Sequence, residues 1–90
     1  METKLASVPI LGGTRTAVAL GASPATYQNT GLKREMLILS GGTVTAIDFS
    51  RDGTTFDLTG ATAGAFTLAP LDRIRVTYTV IPTVVSAYQL

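Results

Sequence analysis

From Arg73 to Val80 the chain reads RIRVTYTV, eight residues of unbroken two-residue alternation. Ile74, Val76, Tyr78 and Val80 fall on one face of an extended strand; Arg73, Arg75, Thr77 and Thr79 fall on the other. A helix would scatter those four apolar side chains around its axis, so the segment is predicted to be a β-strand with one face on a core. A single strand leaves its N–H and C=O groups without partners, so strand neighbours must come from elsewhere in the chain. Fifteen threonines against only four lysines and glutamates together make helices poor candidates for the remainder.

Turn residues divide the chain at intervals of about eight to twelve residues, the spacing of a β-sandwich or small barrel. Ala69-Pro70-Leu71-Asp72 reads as a turn whose first corner is set by the fixed φ of Pro70. Just before it, AFTL gives Phe66 and Leu68 to the core, and the preceding loop TGATAG has no bulky side chain. Met36, Leu37, Ile38 and Leu39 are apolar on both faces, as in a central strand covered on both sides or a subunit contact. Gly41-Gly42 then turns the chain into TVTAIDFS, and Asn29-Thr30-Gly31 bends the chain ahead of Arg34. TRTAVAL, ended by Gly21 and Pro24, is a further strand candidate, and TVVSAYQL after Pro82 can add a last one. The expected fold is all-β: a small antiparallel β-sandwich or jelly-roll-like barrel of six to seven short strands with an N-terminal arm. Residues 1–13, with Pro9 and Gly12-Gly13, form the arm, and 14–90 form a single domain, since ninety residues cannot fill two cores. Leu5, Val8, Ile10 and Leu11 of the arm are costly to leave in water, so it is expected to order against a neighbouring chain.

IDFSRDGTTFDLTG reads as a hairpin around Asp52-Gly53, with positive φ at both residues of a type I′ turn. That register sets Phe49 opposite Phe56, Ile47 opposite Leu58, and Asp48 opposite Asp57. Opposed residues have Cβ atoms about 4.5–5.5 Å apart, a separation shared by solvated carboxylates, an arginine-neutralised pair, a cation site and a retaining-glycosidase pair. A chain this short builds little of the cleft that catalysis needs, so solvation or neutralisation is preferred. Arg73 and Arg75, on the polar face of their strand, are the complementary charges, reaching the aspartates within the chain or, preferably, from a symmetry mate.

No enzyme template fits. Without cysteine or histidine the chain offers neither a disulfide, a Cys/His metal site nor a triad base. GASPAT and GGT lack the lysine of a P-loop, and Asp52 and Asp72 are explained as turn residues. No catalytic residue, cofactor-binding residue or metal ligand is therefore expected. Only 14% of residues are charged, the net charge is +1 and the basic side chains are scattered, which argues against nucleic acid as a partner. No apolar run approaches the roughly 18 residues of a membrane span, and the N-terminus makes a poor signal peptide. A hydrophobic content of 46% without such a span points to surfaces buried against other chains, in a homo-oligomer such as a dimer or trimer. Tryptophan is absent, and of the aromatic residues only Tyr27 and Tyr88 are free for a surface role.

The texture YQNTG…MLILSGGTVTAIDFSRDGTTFDLTG…GAFTLAPLDRIRVTYTVIPTV resembles small β-sandwich modules of tailed-bacteriophage virion proteins, over about two-thirds of the chain. Its motifs are structural rather than catalytic: Tyr-x-Asn-Thr, Ser-Gly-Gly-Thr-Val, a Ser-Arg-Asp-Gly hairpin, and a proline turn before Arg-Val-Thr-Tyr. The resemblance is strongest to capsid decoration (cement) proteins. It implies a protein made in the host bacterial cytoplasm that sits on the outer capsid and bridges neighbouring copies of the major capsid protein. A receptor- or glycan-binding module of a head or tail fibre is the alternative. Many such modules place glycine after the turn proline; here Leu71 stands at an exposed corner, where it becomes a contact candidate.

Overall fold

A computed structural model describes residues 14–90, and all regular secondary structure among them is β. The strands are β1 (Arg15–Ala17), β2 (Ala25–Gln28), β3 (Glu35–Ser40), β4 (Thr43–Ser50), β5 (Asp57–Leu58), β6 (Gly64–Leu68), β7 (Arg73–Val80) and β8 (Val84–Gln89). Eight strands among the described residues exceed the expected six to seven, because the C-terminal segment is a full strand and β5 is a separate two-residue piece. They form two four-stranded antiparallel sheets, in the orders β1-β8-β3-β6 and β2-β7-β4-β5. The pairings β1 with β8, β2 with β7, β3 with β6 and β4 with β5 make the domain one long hairpin folded at the β4–β5 tip and rolled into two layers. The arm, with Leu5, Val8, Ile10 and Leu11, lies outside the described residues.

Alternation builds the core. Leu37 and Leu39 of β3 and Val85 and Ala87 of β8 meet Ile47 of β4, Ile74 and Val76 of β7, and Leu68 of β6. The alternating segment is β7 from end to end, although its last core-face residue, Val80, is 55% exposed beyond the layer. Met36 and Ile38, on the outer face of β3, are half-buried, so that central strand is fully covered on one side only.

In β4, strict alternation from Val44 would carry Ala46 inward and Ile47 outward. A register shift between Val44 and Ala46 inserts one residue and resets the phase, so Val44, Ile47 and Phe49 all face the core. Gly41 and Gly42 connect the sheets with φ values of 82° and 66°. A Cβ on Gly42 would lie 2.3 Å from the Ile81 carbonyl oxygen and 2.6 Å from that of Val80. The β3–β4 and β7–β8 crossovers therefore touch backbone to backbone, an approach that only glycine permits.

The hairpin register differs from expectation by one residue. Asp48 stands opposite Leu58, and Phe49 opposite Asp57. Directly opposed residues share a face, so Asp48 and Asp57 lie on opposite faces and no like-charge conflict exists. Phe56 sits on the Asp48 face under the Arg75 guanidinium, away from Phe49, which packs toward the core. The cause lies in the loop: Asp52 Oδ1 accepts hydrogen bonds from the Thr54 and Thr55 N–H groups at 2.8 Å and from the Ser50 hydroxyl at 3.2 Å. These bonds wind residues 51–56 into a longer turn, in which Gly53 has φ 80° and Asp52 keeps a negative φ.

Candidate functional site

Polar chemistry concentrates in two places. The first is the outer face of β4 and β7, where Asp48 and Arg75 are directly opposed. Arg75 donates to Asp48 Oδ2 from Nη2 at 2.5 Å and from Nε at 3.1 Å. Its guanidinium stacks 4.1 Å from the Phe56 ring centroid, which orients the charge and shields the pair. Asp48 is nearly buried, and its Oδ1 has no hydrogen-bond partner. Of the two expected routes to neutralisation, the one within the chain is seen for Asp48, whose partner is Arg75; Asp57 is not part of that pair. Arg73 packs elsewhere: a Cβ on Gly53 would come within 2.5 Å of its Nη1. Removing one partner of such a pair leaves an uncompensated carboxylate, whereas replacing both need not. Arg75→Met should cost about 2 kcal/mol, discounted because the arginine is partly exposed. Adding Asp48→Leu should restore most of it, as urea unfolding of the four proteins in the cycle will show.

The second concentration lies at the end of the sandwich, where the β2–β3 loop meets the β6–β7 turn. Asn29 is fully buried; its Nδ2 donates to the carbonyls of Lys33 (2.9 Å) and Leu68 (3.1 Å), and its Oδ1 accepts from the Gly31 N–H (3.0 Å). Its backbone N–H donates to Asp72 O, and its carbonyl accepts from the Leu71 N–H at 2.7 Å. Asp72, also buried, accepts two bonds from Arg51 at 2.9 and 3.2 Å and one from the Ala69 N–H at 2.8 Å. Burial pushes the Asp72 carboxyl up, but those hydrogen bonds and the Arg51 charge outweigh it and hold it below the usual range. The N–H groups of Thr55 and Thr54 lower Asp52 in the same direction. Depressed folded-state values mean that the unfolded chain takes up protons first as pH falls. Stability should therefore be full above about pH 4 and decline below it, and Asp72→Asn should weaken the decline; thermal unfolding as a function of pH measures both.

The turn closed by this network puts Leu71 at φ 74°, the only residue other than glycine with positive φ among the described residues. The Asp72 N–H returns to Ala69 O at 3.0 Å, the closure of a turn with proline at its first corner and a left-handed second corner. Left-handed backbone costs a leucine roughly 1–2 kcal/mol, and its side chain is nevertheless 59% exposed. Leu32, in the loop tied down through Asn29, is 96% exposed beside Lys33 and Arg34. Next to this end, Phe49, Arg51, Asp52, Thr55 and Asp57 line an open hollow of about 430 Å³. The Arg51 guanidinium lies 5.6 Å from the Phe49 ring centroid. At the opposite end Leu20, Ile81, Pro82 and Val84 border a second, more apolar groove of about 290 Å³ alongside β1.

Of the residues singled out from sequence, Asp48 and Arg75 are brought together, and Leu71 stands exposed as expected. Asp57 and Arg73 are separated from that pair. Tyr27 turns partly inward and donates from its hydroxyl to Glu35 at 2.6 Å; burial, then Glu35, raises its pKa well above the usual tyrosine value. The sequence marks Asn29 only as part of a bend, because nothing in YQNTG tells a solvated asparagine from a buried one. Among the described residues no three Asp, Glu, His or Cys side chains cluster as metal ligands would. Comparison with protein-family models, curated proteins and solved structures gives no match for this chain.

Proposed function

We propose that this domain is a structural component of a tailed-bacteriophage virion, a decoration protein that binds the outer capsid and bridges neighbouring major capsid proteins. The observation that carries the reading is the exposed apolar surface. Leu32, Leu58, Leu71, Val80, Ile81, Val84 and Leu90 are 40–96% exposed, and neighbours in a lattice that covered them would remove this apolar surface from water. Their spread over both ends of the sandwich suits a protein wedged between others better than one built around a single cleft. The strand orders β1-β8-β3-β6 and β2-β7-β4-β5 support the jelly-roll form of the expected fold, an architecture used by viral capsid and lectin domains. The motif resemblance over the central part of the chain supports the virion setting. Modest apolar contacts, repeated at every symmetric position of a lattice, would raise the cost of capsid rupture through multivalency.

The fibre alternative draws on a different observation. An aromatic ring flanked by carboxylates, a hydroxyl and a guanidinium, as in the hollow around Phe49, is suited to a polyol. Copy number in purified particles decides between the two. Stoichiometry on the scale of the capsid lattice is expected; a count matching one vertex or tail would favour the fibre reading, and absence from particles would remove both.

A further inference from the structure

The geometry points to a two-fold dimer of this chain, formed through the end that carries Leu32 and Leu71. Leu71 is held in left-handed backbone, where glycine would suffer no penalty, and its side chain is turned to solvent. The position is not floppy: Asn29, Asp72 and Arg51 lock the turn and the neighbouring loop from beneath. A strained, rigid, exposed leucine gains nothing inside its own chain, which marks it as a contact. Leu32, Lys33 and Arg34 are exposed on the adjoining loop, which Asn29 ties to the Leu71 turn, so this end carries two apolar side chains and two positive charges, together the ridge of the contact.

The complement of that ridge lies on the same end. The hollow beside Arg51 sets the Phe49 ring among polar side chains, with the carboxylates of Asp52 and Asp57 in its lining: one aromatic face for a leucine and two negative charges for the basic flank. Arg51 joins the two features, since it lines the hollow and holds Asp72 next to Leu71. A ring of three or more copies needs ridge and hollow on different flanks of the protomer. Adjacent on one end, they satisfy a two-fold axis instead, with each ridge entering the other copy's hollow and every contact made twice. Self-association rests on the reading of this domain as an assembly component, but its test needs no particle, so the two can fail separately.

Sedimentation equilibrium of the full chain over a wide concentration range is the experiment. A monomer–dimer equilibrium is expected. Leu71→Gly should raise the dimer Kd at least tenfold while raising the melting temperature of the dilute monomer, a combination that a misfolded variant cannot produce. Asp57→Lys should weaken the dimer similarly, and Lys33→Glu with Arg34→Glu should recover affinity only in the Asp57→Lys background. A chain that stays monomeric at millimolar concentration leaves the ridge to a foreign partner and overturns the proposal. So does a trimer, or a dimer whose Kd is unchanged by Leu71→Gly and Asp57→Lys.

Discussion

Asn29→Ala should lower the melting temperature of the domain by about 15 °C, although the residue is uncharged and lies outside the strands. Its amide donates to two carbonyls from different segments, Lys33 and Leu68, and accepts from the Gly31 N–H. Alanine leaves all three without that partner, and the Leu68 carbonyl is in the interior, where an unmet acceptor costs roughly 1–3 kcal/mol. With the loosened Lys33 and Gly31 contacts the loss comes to about 3 kcal/mol, which corresponds to about 15 °C for a domain of this length. Asn29→Asp tests the mechanism, because it keeps the acceptor for Gly31 but loses both donations. It should be no better than alanine. Differential scanning calorimetry reads both variants, and a fall of less than about 4 °C for alanine would show that water replaces the amide.

Gly42→Ala should destabilise the domain by about 3–4 kcal/mol through two separable costs. Its φ of 66° is unfavourable for any residue with a Cβ, by roughly 1–2 kcal/mol. The added carbon would also press on the backbone oxygens of Ile81 and Val80, which cannot rotate away as a side chain can. Gly60→Ala is the matched control, since Gly60 has φ 80° and open space around the position of a Cβ. It should lose only the conformational cost. Urea unfolding of the pair gives the packing cost as the difference, and equal losses would mean that the crossovers separate freely.

What could be read in advance depended on how local the determining physics is. The strand β7 and the inward residues of β6 follow from alternation, a property of consecutive residues. The glycine turn at Gly41-Gly42 follows from φ preference. The β4–β5 register escaped because Asp-Gly suits a two-residue turn, while Asp52 bonded to Thr54 and Thr55 favours a longer one, and a shift of one residue changes every facing pair. The bulge that turns Ile47 inward is equally invisible in a pattern that assumes strict alternation. Leu71 is legible as an exposed corner from the absence of the glycine that often follows the turn proline, and it is exposed in the structure. The network beneath it is not legible, because Asn29, Arg51 and Asp72 are far apart in the chain and meet only when the sandwich closes.

The rolled-hairpin pairing also bears on how quickly the molecule can form. Among the described strand pairs only β4–β5, at the tip, joins segments near in sequence; Arg15 of β1 and Ser86 of β8, bonded in the finished domain, are 71 positions apart. Each pairing outward from the tip closes a longer loop than the one before, and domains dominated by such distant contacts fold in milliseconds to seconds rather than microseconds. If closure follows that order, β1 docks last, and until it does the outer edge of β8 presents unpaired backbone to whatever chain is nearby.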